Sequence, residues 1–325
     1  MHTKQILFFI LVSIIILYPN NLISKTKNSR YLKYIAGTEK EAIEWQNDLR
    51  DRLFDLMHMK DLILHGENIP FNTKLISSVE KKNYIYKELE INSTGNRRMK
   101  IIITLPSVID GSCPAVVCVH GHSHNRYKVH DKKTIYKGFA SSLAENGYIT
   151  ISADVGQHKV YEKGRTLMGE RLWDLMRCID YVSSMVVVDN TKIGCAGLSL
   201  GGEMTMWLGA MDKRVNAVVS SGFLTNMDQL EKNHCKCWKF DGLRELVDFP
   251  DIYSMIAPRP LMAQNGQKEP ASQFPVPLAR EVLEEIKPVY CTFDKSVNLS
   301  LNVHNGGHEV DLPSLLAFFD SHLKE

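Results

Sequence analysis

The order of its elements predicts an α/β domain, with a mostly parallel sheet of about eight strands and helices on both faces. Three observations carry this. A hairpin pattern comes first, and strand-like apolar runs then alternate with helical stretches to the end of the chain. Ala115–Val119 is apolar without interruption, as a strand buried on both faces must be. A glycine-rich turn, Gly197-Leu-Ser199-Leu-Gly201, joins a strand to a helix.

The elements follow in order. Thr38-Glu-Lys-Glu41 has the form of a capping box. Behind it Ile43, Leu49, Leu53, Phe54 and Met57 recur at helical spacing, which predicts an amphipathic helix lying against the main domain. Residues 85–91 and 99–105 read as a hairpin around Asn92–Asn96. After the strand at 115–119 come a helix over 135–146, a strand over 148–153 and a helix over 167–182. A strand over 192–198, a helix over 202–211 and a strand over 215–220 continue the alternation. The stretch 222–257, rich in His, Cys, Trp and charge, breaks the pattern and reads as an insertion. A strand over 260–265, a helix over 277–287, a strand over 297–303 and a helix over 312–323 complete the chain. This gives an export segment at 1–24, a helical extension at 25–70 and the α/β domain at 71–325.

The charge balance excludes one class of partner. Lys and Arg number 39 against 37 Asp and Glu, a formal charge of +2, with no basic run beyond pairs such as Lys81-Lys82. A nucleic-acid binder needs concentrated positive charge, so none is expected here. The amino terminus is uneven: one lysine precedes an almost wholly apolar run from Ile6 to Leu17, then Pro19-Asn20-Asn21 and the small residue Ser24. That is the pattern of a signal peptide, short for a transmembrane helix of about 20 residues. It predicts a periplasmic or secreted protein, the alternative being an uncleaved membrane anchor. Seven cysteines are an odd number for an exported chain, so at least one is expected to be free or to pair between chains. Cys118 and Cys195 fall in apolar strands and read as core.

The chemistry centres on Ser199. A G-x-S-x-G turn between a buried strand and a helix holds its serine in a strained conformation above the sheet, as a nucleophile elbow does. A serine hydroxyl needs a base, and Val303-His304-Asn-Gly-Gly-His308 follows the last strand. The two glycines allow the loop to swing His308 toward the serine, while His304 at the strand end is read as structural. An acid must orient that imidazole, and the order serine, acid, histidine places it between 199 and 308. Glu269 is the first acid in the loop after the strand at 260–265. Asp294 is the reserve, Asp248 and Asp251 are less well placed, and Glu281, Glu284 and Glu285 read as a solvated helix face. Backbone N–H groups of Leu200 and His122 are the expected oxyanion donors. His120, Trp238 and Phe240 are pocket candidates. The run His120-x-His122-x-His124 invites a metal reading, but no second well-spaced ligand group accompanies it, and His234-Cys235-Lys-Cys237 lacks the usual ligand gap. No metal and no cofactor are therefore expected.

With these residues in place, the chain resembles an α/β-hydrolase of the dienelactone-hydrolase-like and acetyl-xylan-esterase-like branch. The matching segments are Trp45-Gln46 with Leu49-Arg50, Cys118-Val-His-Gly-His122, Gly194-Cys-Ala-Gly-Leu-Ser-Leu-Gly-Gly202, His234-Cys-Lys-Cys237, Ile256-Ala-Pro-Arg-Pro-Leu261 and Gly306-Gly-His-Glu309. They run from about residue 41 to the end. The resemblance implies a serine carboxylic-ester hydrolase working through an acyl-enzyme without cofactor, with Ser199 as nucleophile and His308 as base. Its substrate would be an acetylated carbohydrate or similar small ester, with a lactone or peptide, or a non-catalytic binding role, as alternatives. The chain departs from the family at the acid, where Gly266-Gln-Lys-Glu269 stands in place of the usual aspartate.

Overall fold

A computed structural model describes residues 30–35 and 37–324. The segment at 1–24, expected to direct export, lies outside the described residues. The sheet has nine strands in the order β1-β2-β3-β5-β4-β6-β7-β8-β9. Strands β1 (Lys74–Glu80), β2 (Tyr84–Asn92) and β3 (Arg98–Pro106) form an antiparallel edge, and β3 pairs antiparallel with β5 (Ile149–Ala153). From β5 onward the sheet is parallel, through β4 (Cys113–Val119), β6 (Val188–Leu198), β7 (Ala217–Ser221), β8 (Leu261–Gly266) and β9 (Leu299–His304).

The ninth strand is β1, beyond the eight expected. Every residue of Lys74–Glu80 is exposed, so no alternation marks it. It is a strand only because β2 offers it an edge, and its terminal Lys74 and Glu80 suit an edge position.

The uninterrupted apolar run of β4 has its explanation in two cores. Ala115, Val117 and Val119 face one, while Val116 and Cys118 face the other. The first core lies under α1 (Glu39–Leu56), α4 (Leu167–Ser183), α5 (Leu200–Met211), α8 (Phe249–Ser254) and α9 (Val276–Thr292). The second lies under α3 (Phe139–Glu145) and α10 (Leu312–Phe319). The capping box of Thr38 and Glu41 starts α1, whose Leu49 and Leu53 enter the first core. Its polar residues bind the domain too. Gln46 donates to the carbonyls of Ser254 (3.2 Å) and Ala257 (2.7 Å), and Arg50 donates to that of Ala210 (3.1 Å).

Three helices depart from expectation for identifiable reasons. The helix expected over 135–146 is only Phe139–Glu145, because Lys137 and Gly138 adopt positive φ (53° and 62°) and the segment before them is needed elsewhere. The helix expected to stop at Lys287 runs through Pro288 to Thr292. Ile286, Val289 and Tyr290 are fully buried there, and their packing outweighs the lost N–H. The last helix gives way after Phe319 to a π-helical turn, Asp320–Lys324. Within the insertion at 222–257 lie α6 (Met227–Asn233), the single turn α7 (Leu243–Leu246) and α8, with α2 (Lys60–His65) preceding the sheet. No described helix is long and apolar enough to cross a membrane. All seven cysteines are free thiols, and Cys118 and Cys195 are buried.

Candidate active site

The connection after β4 runs to β5 on one side and the one after β6 runs to β7 on the other, so a crevice opens at the carboxyl ends of β4 and β6. Ser199 stands there, between β6 and α5, at φ 63° and ψ −122°. A non-glycine residue in that region stores on the order of 1–3 kcal/mol, which the surroundings must impose. They do so by close packing: a Cβ on Gly201 would lie 2.3 Å from the Val119 carbonyl oxygen, and one on Gly197 2.4 Å from that of Gly201. The Ser199 N–H donates to the Ser221 carbonyl at 2.9 Å, fixing the turn to β7.

His308 follows β9. Its Nδ1 lies 2.7 Å from Glu269 Oε1. An ionised carboxylate only accepts, so this contact puts the proton on Nδ1 and leaves Nε2 free to receive one. The Glu269 side chain is 1% exposed and that of His308 26%, an arrangement of buried acid and accessible imidazole. Phe274 stacks on the imidazole with centroids 5.6 Å apart. The ring also fills the space beside Gly222, where a Cβ would come within 2.9 Å of it. Gly222 directly follows Ser221, so His308 and Ser199 occupy the same end of β6 and β7.

The loop carrying Glu269 is tied to the last strand. Gln267 N–H donates to the His304 carbonyl (2.8 Å), Lys268 N–H to that of Gly306 (3.0 Å) and Glu269 N–H to that of Gly266 (3.2 Å). The other candidate acids are otherwise engaged. Asp248 caps α8 and accepts from Met227 N–H, while Asp251 pairs with Arg30 at 2.9 Å. Asp294 is exposed beyond α9; Glu284 pairs with Lys287 and Glu285 with Arg30 on the surface. His304 Nδ1 accepts from Gly306 N–H at 3.2 Å, a local structural contact.

The N–H of Leu200 opens α5, where the first N–H groups have no acceptor within the helix and Ser199 adds no side-chain cap. The loop with His122 is braced from below. Gly121 N–H donates to the Tyr136 hydroxyl at 2.6 Å, and His124 Nδ1 lies 2.9 Å from the same oxygen. Tyr136 belongs to the stretch just before α3 that does not form helix. It is a site-supporting residue that sequence patterning did not single out, because its neighbours made it look like one more apolar helix position.

A pocket of about 370 Å³ lies over Ser199, lined by His122, His158, Leu200, Glu203, Phe223, Trp238 and Phe274 among others. Of the three pocket candidates only Trp238 lines it. His120 is fully buried beneath: its Nε2 accepts from Val155 N–H (3.0 Å), and its Nδ1 lies 2.8 Å from the Gly121 carbonyl. Burial lowers its pKa, so it stays neutral and acts as a brace. Phe240 packs instead against Trp207, centroids 5.9 Å apart, at the margin of the first core. A broader groove of about 810 Å³ adjoins the pocket and shares Ser123 and His158 with it. Arg97, Asp154 and Tyr161 are among its walls.

The three histidines of the His120–His124 run diverge. His120 is buried, His124 lines the broader groove, and His122 faces the pocket over Ser199, its Nε2 3.0 Å from Cys237 Sγ. His158 and Cys235 join these two, and the four donor atoms lie within 4.8 Å of one another. The structure thus brings together side chains of three loops that are far apart in the sequence. Burial and the Arg171 charge push the His122 imidazole down to about 4.

Comparison with known proteins agrees with this architecture. The profile of the acetyl xylan esterase family (AXE1) matches residues 67–233, half of the chain. That span holds Ser199 and the His122 loop; Glu269 and His308 lie beyond it. YtaP of Bacillus subtilis (strain 168), provisionally named a hydrolase, is 23% identical over 224 residues, covering 61% of this chain and 74% of its own. Among solved structures, the acetyl xylan esterase from Paenibacillus sp. R4 superposes with a TM-score of 0.59 at 16% identity, over 90% of this chain and 98% of its own. A CE15 glucuronoyl esterase from Teredinibacter turnerae T7901 gives 0.64 at 14%, over 91% and 90%. At such identities the superpositions establish the fold alone. Profile and fold together place the chain in the acetyl xylan esterase family, ester-cleaving hydrolases built on the α/β-hydrolase fold.

Proposed function

We propose that the protein is a serine esterase that removes acetyl groups from carbohydrate through an acyl-enzyme. The observation that carries the mechanism is the 2.7 Å contact between His308 and Glu269 beside a serine held at positive φ. In this reading Ser199 Oγ attacks the ester carbonyl and His308 Nε2 takes its proton. Glu269 orients the imidazole and stabilises its cation. The oxyanion of the tetrahedral intermediate accepts from the N–H groups of Leu200 and His122, each donor of this kind contributing about 2.7–4 kcal/mol. His308 then gives the proton to the leaving alcohol. Water repeats the sequence, with His308 as base, and releases acetate. No cofactor enters.

The two cavities suit such a substrate. The pocket over Ser199 would take a small acyl group, and the polar groove beside it a hydroxylated leaving group. A protein exported through its first 24 residues would meet polysaccharide outside the cytoplasm.

The test is Ser199→Ala, assayed on an aryl acetate and on acetylated xylo-oligosaccharides, alongside a fluorophosphonate probe. The wild type should hydrolyse both and be labelled at Ser199, while the variant should lose turnover and labelling with an unchanged circular dichroism spectrum. Retained turnover in the variant would sink the mechanism. Turnover of other esters but not of acetylated sugars would sink the substrate assignment.

A further inference from the structure

Four soft or borderline metal ligands meet at the rim of the pocket. They come from three separate loops. His122 follows β4, His158 follows β5, and Cys235 and Cys237 follow α6 in the insertion. Zinc held by two thiolates and two imidazoles has metal–ligand lengths near 2.3 and 2.0–2.1 Å, so its donors stand about 3.3–3.8 Å apart in a tetrahedron. The donors here lie within 4.8 Å of one another, and His122 Nε2 is already 3.0 Å from Cys237 Sγ. Shifts of the order of 1 Å in loop side chains, two of them exposed, would complete the geometry.

We infer that His122, His158, Cys235 and Cys237 form a tetrahedral site for a thiophilic divalent cation, zinc above all. Binding deprotonates both thiols: two S–H protons leave to solvent, two metal–sulfur bonds form, and the centre becomes neutral overall. One neighbour suits the metal-bound form. Arg171, fully buried on α4, points Nη1 at Cys237 Sγ from 3.4 Å, where a thiolate is a better partner than a thiol. Its other terminal nitrogen is fixed by the Gln157 carbonyl, one residue before His158. Glu203, 2% exposed, lines the same pocket and leaves Oε1 without a donor, an unpartnered polar atom beside the cluster.

All four positions are protein ligands, which marks a closed, structural centre and not one that activates water. Its effect would be to clip the insertion and the β5–α4 loop to the loop after β4. The backbone of His122 lies in that last loop, so the metal would also hold the proposed oxyanion donor. That consequence rests on the esterase reading, whereas metal binding itself does not.

The experiment uses the full chain, purified under a thiol-sparing reductant, stripped with chelator and titrated with Co²⁺. Expected are one equivalent bound per chain, a thiolate-to-cobalt charge-transfer band, the intense visible absorption of tetrahedral cobalt, and displacement of both by one equivalent of Zn²⁺. Cys235→Ser with Cys237→Ser should abolish the charge-transfer band, and His158→Ala should weaken binding while leaving that band detectable at high cobalt. Ser199→Ala should bind cobalt as the wild type does, which separates failure of this site from failure of the esterase reading. Absence of the band in reduced wild type would overturn the site. So would its persistence in the folded double cysteine variant, and the wild-type titration stands even if that variant fails to fold.

Discussion

In the proposed triad Glu269 stands where the family resemblance implies an aspartate, and its surroundings suit a longer side chain in that role. Two backbone hydrogen bonds, to His304 and Gly306, pin its loop to the end of β9, and a third closes a turn onto Gly266; the carboxylate lies 2.7 Å from His308 Nδ1 and is buried. Gln in its place keeps the length but offers an amide that can favour the wrong imidazole tautomer. Glu269→Gln is therefore expected to lower kcat by about 10²–10⁴-fold with little change in KM. Steady-state kinetics on an aryl acetate check this, and an unchanged kcat would remove Glu269 from the machinery. At this scale the sequence was informative where chemistry follows chain order. Ser199, Glu269 and His308, the proposed triad, could be picked out because a serine, an acid and a histidine each follow a different strand. His120 and Phe240 could not be placed. Whether a ring enters a pocket or a core depends on neighbours distant in sequence, Val155 for one and Trp207 for the other.

Between β7 and the insertion, Gly222 links two elements to the site. It has φ +58°, its N–H donates to the Gln264 carbonyl at 2.7 Å, and His308 fills the space where a side chain would be. Gly222→Ala should cost about 1–3 kcal/mol of stability from backbone strain alone. The added methyl should also push the imidazole aside, so activity should fall further than the unfolding midpoint suggests. Denaturant titration together with kcat measures both, and a stable, fully active variant would show the space to be more forgiving than the geometry implies. Elements with strong periodicity, such as α1, α4 and β4, were legible because burial imposes their pattern. β1 was not, since it buries nothing. The shortened α3 was obscured for the opposite reason, because Tyr136 is apolar-looking and buried yet serves the loop above it through its hydroxyl.

At the scale of the whole molecule, the pH dependence of stability has a contribution from His130. Burial pushes the His130 imidazole down to about 3, with Ser152 and Ser141 against its nitrogens and the Tyr86 ring beside it. Unfolding returns such a group to about 6.5, so the unfolded chain binds the proton first as pH falls. The stability that neutral His130 permits is therefore present above about pH 6.5 and drains away from there toward pH 3. Urea midpoints should drop between pH 7 and pH 4.5, and His130→Gln should flatten that dependence. An identical pH profile in the variant would mean that other groups govern acid unfolding.

By itself the sequence determined the alternation of strands and helices, hence the α/β class, and it put a serine, an acid and a histidine, the triad proposed here, just beyond β6, β8 and β9. These are local facts: burial on both sheet faces writes apolar runs into the chain, and a strained turn requires its glycines. Only the tertiary structure decided what meets across loops. The brace from Tyr136 to Gly121, the stacking of Phe274 on His308, and the approach of His122, His158, Cys235 and Cys237 join residues separated by 15 to more than 100 positions. No periodicity records such encounters, because they are set by how the sheet twists its strand ends together and not by any pattern along one element.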